Sequence, residues 1–476
     1  MSGGVDATAE ATIGIASAVR AGRCKAEAVV ERSLARIERM DGAINAMTAV
    51  LGDRARSRAR ALDARIARGE DPGPLAGVPF AVKNLFDIEG VVTLAGSRIN
   101  RDDPPAARDA PSIAALEAAG AVLVGAAGMG EYAYDFTGRN AHDGVVRNPL
   151  DPDRLAGGSS SGSAAAVAAG MVPFALGTDT NGSIRVPASL CGLFGLKPTF
   201  GRLGRDGVFP FVESLDHVGP LARSAADLAV IHDALQTAAS VDRSHSGRPV
   251  EPVTPALGDD TPLRVGLAGG YAVDRAGSEA RRAAETVADA LGAFGRVDLD
   301  GAGEARAAAF VITAAAGGAL HLDRLRRRAG DFDEEVRGRL IAGALVPAAW
   351  VARAERVRRA FAERMATVFE RVDLLVAPAT PCPAPLIDQP TIEVGGEPVP
   401  VRANLGVLTQ PFSAIGLPVA CVPVHPGDGG MPVGVQIVGP LWREDLVLAA
   451  AHRLELWGVA TVPSLAASAA APGMRS

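Results

Sequence analysis

The sequence predicts an α/β protein built as one large domain, and three observations predict it. Helix-like segments alternate with short apolar runs along most of the chain, the pattern of strands connected by crossover helices. Hydrophobic residues make up 48% and charged residues 21%, enough for a sizeable core and too little charge for a disordered chain. The 476 residues are within reach of a single large α/β domain, although length alone allows roughly one to three.

Residues 10–70 carry alanine, arginine, glutamate and leucine at three-to-four spacing, in Ala26 to Arg39 and again in Arg54 to Arg68. These predict an N-terminal helical segment over 1–70 that packs on the core. In LAGVPFAVKNLFDIEG, residues 75–90, a turn with Gly77 and Pro79 leads into an apolar run ending at Lys83. Lys83 therefore sits at a strand end, and strand ends of α/β sheets face the cleft where ligands bind. Ser112 to Ala119 reads as a helix stopped by Gly120 and followed by the strand AVLVG. GGSSSGSAAAVAAG, residues 157–170, is a glycine and serine loop running into an alanine-rich helix. VPFALGTDTNGSIRVPASLCGLFGLKPT then gives a strand to Gly177, a polar turn holding Ser183, and Pro187 opening another helix. One helix and one strand separate the two serine-bearing turns, so they can lie side by side at one sheet edge.

Residues 236–262 hold Pro, Ser, Asp and Gly without periodicity and predict a surface linker. It divides a core segment, 71–235, from a C-terminal half, 263–465, that completes the same sheet and the pocket. That half predicts a strand at Arg264 to Ala268, helices at Ser278 to Phe294 and Ala349 to Phe369, a strand at 373–380, and final strands PVACVPV and GVQIVG. The tail, 466–476, is mostly Ala, Ser and Pro and is expected to fray.

Composition excludes several functions. Net charge is −6 with positive and negative residues interspersed, which leaves no footprint for nucleic acid or an anionic membrane and points to a small-molecule substrate. No targeting segment and no run of about 20 apolar residues is visible, so a cytoplasmic location is expected. The four cysteines have neither CxxC nor Cys/His ligand spacing, so we expect no disulfide framework, no metal site and no cofactor. The 48 basic residues are 45 arginines and three lysines, Lys25, Lys83 and Lys197. A chain that avoids lysine and still places one at a strand end requires an amine that can be neutral and act as a base, which arginine cannot supply.

GGSSSGS on its own is a weak motif; no Walker lysine follows it, and it fits no dinucleotide fingerprint. GTDTNGSIR is more informative. The N–H groups of Thr180, Asn181, Gly182 and Ser183 converge in such a turn, forming an oxyanion hole beside an accessible hydroxyl. There is no GxSxG elbow, and the seven histidines signal no Ser/His/Asp triad, so the serine needs another base. A lysine at a strand end, a serine in a glycine loop and a serine in an N–H-rich turn form a complete set for serine–lysine hydrolysis.

LAGVPFAVKNLFDIEG, LAGGSSSGS and GTDTNGSIRVPASLCGLFGLKPT resemble the three motifs of the amidase signature family in kind, order and spacing. The resemblance implies the amidase signature fold, a large mixed central β-sheet flanked on both faces by α-helices. It implies Ser183 as nucleophile, Ser159 as bridging serine after a cis peptide at Gly158, and Lys83 as base, with an acyl-enzyme intermediate. Ser160, Asp179 and Arg185 are expected to support the site; Ser160 and Ser161 either bond around the lysine or satisfy loop N–H groups, and Asp179 with Arg185 reads foremost as a structural ion pair. Lys197 reads as structural. The sequence departs from the family pattern at Ser161 and Asn181, where glycine is usual.

AVKNLFDIEGVVTLAGSRINR, FPFVESLDHVGP, AAAFVITAAAGGALHLDRLR and GVLTQPFSAIGLPV resemble, within the family, the carboxybiuret hydrolases of cyanuric acid breakdown. This implies deamination of a small linear ureide with release of ammonia. It also implies a small helical partner chain, like the one that accompanies the amidase component of tRNA-dependent amidotransferases, and allows a homodimer of the larger chain. A carboxylated substrate needs a cation, best an arginine. Arg324 and Arg339 are the candidates, with His321 and Gln410 as polar contacts. The alternatives are a glutamine amidase serving a tRNA-dependent amidotransferase, a general amidase of small amides, and a non-catalytic binding protein. GVLTQP offers no acidic residue for the α-amino group of glutamine, and the intact Lys83, Ser159 and Ser183 oppose the last reading.

Overall fold

In the computed structural model, which describes residues 11–237, 240–425 and 430–464, eleven strands join in one mixed sheet. They are β1 (Met47–Val50), β2 (Pro79–Lys83), β3 (Val122–Ala127), β4 (Phe174–Asp179), β5 (Phe194–Lys197), β6 (His217–Ala222), β7 (Val265–Gly269), β8 (Arg296–Asp298), β9 (Leu374–Pro378), β10 (Val419–Val424) and β11 (Val433–Val438). Their order across the sheet is β1-β3-β2-β4-β6-β5-β10-β11-β9-β7-β8.

Connection length decides direction. β2, β3 and β4 are mutually parallel because the helices Pro111–Ala118 and Ser161–Ala168 carry the chain back between them. β7, β8 and β9 are parallel for the same reason, while β10 and β11 pair antiparallel across a short connection. The two halves meet where Lys197 of β5 sits opposite Val419 of β10.

The helices at Ala26–Ile44, Gly52–Ala67, Ser278–Ala290 and Ala348–Arg371 lie where periodicity places them. The helix expected to open at Pro187 begins at Arg185 instead, with Pro187 inside its first turn, where a missing N–H costs nothing. Between residues 240 and 262 the chain forms only one 3-10 turn, Thr254–Gly258, pinned by the Asp233 carboxylate to the N–H groups of Val253 and Thr254. The tail 466–476 lies outside the described residues.

Periodicity does not reveal Ala302–Leu320, a helix of alanine, glycine and β-branched residues that is apolar nearly all round. Its small residues allow close packing: a Cβ on Gly318 would strike the backbone of Ala344, and one on Gly343 the backbone of Ala314. This helix brings Thr313 to the sheet edge that carries the serine turns. Among the described residues no single helix is long and apolar enough to cross a membrane.

Candidate active site

Lys83 is the last residue of β2 and is fully buried. Its Nζ lies 2.7 Å from Ser159 Oγ and 2.8 Å from Thr178 Oγ1. Burial pushes the amine down to about 7, against the opposing pull of the Asp216 and Asp179 carboxylates, so near neutral pH a large fraction is an uncharged base. Thr178 is a partner that sequence reasoning missed; the signal is its place in β4, two residues beyond Leu176, which pairs with Val82 in register.

The peptide between Gly158 and Ser159 is cis, as the resemblance implies. The loop is held from its main chain: Ser160 N–H donates to Ser183 O at 3.3 Å, tying the two serine turns together. Ser160 and Ser161 do not reach the lysine. Ser160 Oγ donates to Thr178 O and accepts from Thr178 N–H, both at 3.2 Å, while Ser161 Oγ donates to Gly128 O at 3.4 Å.

The turn after β4 places Thr180, Asn181, Gly182 and Ser183 between the strand and the helix Arg185–Cys191. The N–H groups of Asn181, Gly182 and Ser183 have no hydrogen-bond partner among the described residues, which leaves them available to an oxyanion. Gly182 has φ +137, and a Cβ there would run into the Thr409 side chain, so the turn requires glycine. Thr409 Oγ1 in turn donates to Asn181 O at 2.7 Å. No hydrogen bond links the Ser159 and Ser183 hydroxyls; such contacts are commonly loose before a substrate is bound.

Behind the turn, Asp179 and Arg185 form a fully buried bidentate pair at 2.9 Å. Arg185 also donates through its two Nη atoms to Thr409 O (3.1 Å), Gln436 Oε1 (2.6 Å) and Ser413 Oγ (2.5 Å), all in the C-terminal half. Burial raises the Asp179 carboxyl, but the guanidinium beside it outweighs this and holds it well below the ordinary carboxylate range. Asp216 accepts from Thr180 Oγ1 at 2.6 Å and from the N–H groups of Phe211 and Val212, and burial raises its pKa. Lys197 Nζ lies 3.1 Å from His217 Nε2 and donates to Pro198 O, with burial pushing both groups well below their usual values. His217 Nδ1 faces two carbonyl oxygens, so the proton sits there and Nε2 accepts from the lysine.

Ser183 lines a cavity with Asp135, Asn181, Thr313, Arg339 and Gln410. Arg339 donates to Tyr134 O at 2.6 Å, stacks 4.2 Å from the Tyr134 ring centroid, and has no carboxylate partner among the described residues. Gln410 is buried, with its Oε1 accepting from Arg306 Nε at 3.1 Å. Arg306, a second cation with no carboxylate partner among the described residues, went unseen in the sequence because its helix went unseen. Arg324 and His321 do not line this cavity. The His321 ring packs against Tyr132 (4.0 Å), Phe209 and Phe332, both ring nitrogens lack a partner among the described residues, and burial with the nearby Arg324 pushes its pKa to about 3. Arg324 stacks over Phe209 at 5.4 Å on the same aromatic cluster. Among the described residues no group of three or more His, Cys, Asp or Glu is placed to hold a metal ion.

The family profile described as Amidase matches residues 28–448. The chain is 51% identical over 451 residues to AtzE, a component of the 1-carboxybiuret hydrolase of Pseudomonas sp. (strain ADP), an alignment covering 94% of this chain and 99% of that one. It is 34% identical to the GatA-type component of the glutamyl-tRNA(Gln) amidotransferase of Geobacillus kaustophilus (strain HTA426), covering 90% and 93% of the two chains. A solved structure described as a vestigial protein complex bearing on the evolutionary origins of an s-triazine catabolic enzyme superposes with a TM-score of 0.94 at 51% identity, covering 95% of this chain and all of that one.

Proposed function

The chain belongs to the amidase signature family and is a hydrolase of carbon–nitrogen bonds in non-peptide amides; on that premise we propose that it deaminates a small carboxylated linear ureide through an acyl-enzyme. The observation that carries the chemistry is the neutralised, buried Lys83 amine 2.7 Å from Ser159 Oγ.

In this reading Lys83 takes the Ser159 proton as Ser159 takes that of Ser183, and Ser183 Oγ attacks the carbonyl carbon. The N–H groups of Thr180, Asn181, Gly182 and Ser183 hold the developing oxyanion. Ser159 then protonates the leaving nitrogen, the C–N bond breaks and ammonia departs. Water, deprotonated through the same relay, hydrolyses the acyl ester and returns the proton to Ser183.

Arg339 supports a carboxylated substrate, since it lies on the Ser183 cavity with no acidic partner among the described residues. Asp135, the one carboxylate lining that cavity among the described residues, opposes glutamine as substrate. Its oxygens already accept from the N–H groups of Thr137 and Gly138 and lie 2.8 Å from Arg402 Nε in an ion pair, leaving nothing for an α-amino group. We further propose a partner chain, supported by the likeness to amidotransferase components and to a chain solved within a complex.

The test is ammonia release from biuret derivatives, glutamine and aryl amides, with Arg339→Ala alongside. The variant is expected to raise KM for a carboxylated ureide at least about tenfold more than for biuret, the value of one charge-assisted pair. Glutamine as the preferred substrate, or an unchanged KM in Arg339→Ala, sinks the proposal.

A further inference from the structure

Asn181 stands where the resembling motif usually has glycine, so its side chain is an addition to the nucleophile turn and its contacts show what the addition does. It is 6% exposed and lines the same cavity as Ser183. Its Nδ2 donates to Thr313 Oγ1 at 2.9 Å, which fixes the amide plane from the helix Ala302–Leu320. Its Oδ1 is buried and has no partner among the described residues. A buried carbonyl oxygen left without a donor costs about 1–3 kcal/mol, a penalty that a ligand donating to it would remove.

Gln410 on the same cavity carries the opposite polarity. Arg306 Nε holds its Oε1, and Arg306 Nη2 is itself fixed on Asn404 Oδ1 at 2.9 Å. The amide N–H groups of Gln410 are thereby left as donors, joining the Arg339 guanidinium. The cavity thus offers a fixed acceptor beside the nucleophile turn together with donors on Gln410 and Arg339. A saturated amide such as an acyl chain has no N–H between two carbonyls to give the acceptor. A ureide of the form –CO–NH–CO– has it, with carbonyl oxygens for the donors.

We propose that the Asn181 side chain is a substrate-recognition group whose Oδ1 accepts the N–H lying between two carbonyls of a linear ureide, with Thr313 as the residue that positions it. This rests on the ureide reading above and adds the residue that selects for the internal nitrogen.

The experiment compares ammonia release from biuret and from malonamide, which differs only in having CH₂ for the internal NH, by the full chain and by Asn181→Leu and Thr313→Val. Labelling of Ser183 by a fluorophosphonate verifies that each protein has a folded site. The quantity read is the ratio of kcat/KM for biuret over malonamide, in which the intrinsic reactivity of the two substrates cancels between proteins. Loss of the acceptor is expected to lower that ratio about tenfold in Asn181→Leu. Thr313→Val, which frees the amide without removing it, is expected to lower it by at least about threefold. A labelled Asn181→Leu with a ratio within about threefold of the parent overturns this inference and leaves the ureide reading intact. If Asn181→Leu fails to label, the Thr313→Val ratio decides by its own threshold. A parent that labels and releases ammonia from neither compound overturns this inference, because an acceptor that selects the internal N–H should admit biuret; the ureide reading falls only if a carboxylated ureide also fails.

Discussion

Replacing Lys83 with methionine is expected to stabilise the protein near neutral pH, to lose that advantage in alkali, and to abolish turnover. The folded protein holds this amine at about 7 against 10.5 for the free side chain, chiefly through burial. At about 1.36 kcal/mol per pH unit, that displacement costs about 5 kcal/mol at a pH below 7. The sign follows from proton binding. Between pH 7 and 10.5 the unfolded chain holds a proton that the folded chain has given up, so parent stability climbs across this window as pH rises. Methionine fills similar volume and has no proton to hold, but it forfeits the bonds to Ser159 and Thr178, about 1 kcal/mol each. The variant is therefore expected to be more stable by about 3 kcal/mol at about pH 6, with the difference shrinking by about 3 kcal/mol by about pH 9. Urea denaturation of both proteins at the two pH values, followed by circular dichroism, measures it. A stability difference that is the same at both pH values refutes the claim that position 83 is a desolvated, neutralised amine.

With Lys83 as the proposed base, kcat/KM is expected to rise from the acid side with a limb at about 7, and Asp216→Asn, by removing a carboxylate that favours the ammonium form, is expected to move that limb to lower pH. A pH–rate profile of the two proteins checks this, and a limb unmoved in the variant contradicts it. Gly182→Ala is expected to cut kcat/KM by about 10² or more while the protein still unfolds cooperatively, because the Cβ meets Thr409 and displaces the N–H donors from the oxyanion position. Steady-state kinetics near the parent value would show that the turn tolerates a side chain and does not depend on that geometry.

The sequence alone determined what is written in contiguous residues. The strand ending at Lys83, the helix–Gly120–strand unit, the glycine loop around Ser159 and the polar turn around Ser183 are each specified by neighbours a few positions away, through turn chemistry, helix stops and apolar runs. Even the closeness of the two serine turns follows from the single helix and strand between them. Tertiary structure alone decided which distant residues meet these turns. Thr178 reaches Lys83 only because β2 and β4 pair in one register, and β6 enters between β4 and β5 although nothing local marks its partner. Arg339 and Gln410 line the cavity while Arg324 and His321, from an adjacent stretch, turn into an aromatic cluster. Thr313 and Arg306 ride on a helix whose uniformly small, apolar surface carries no amphipathic signal. Local conformation depends on steric and hydrogen-bonding preferences that each short segment carries with it, whereas the lining of a cavity depends on long-range packing, in which residues hundreds of positions apart become neighbours.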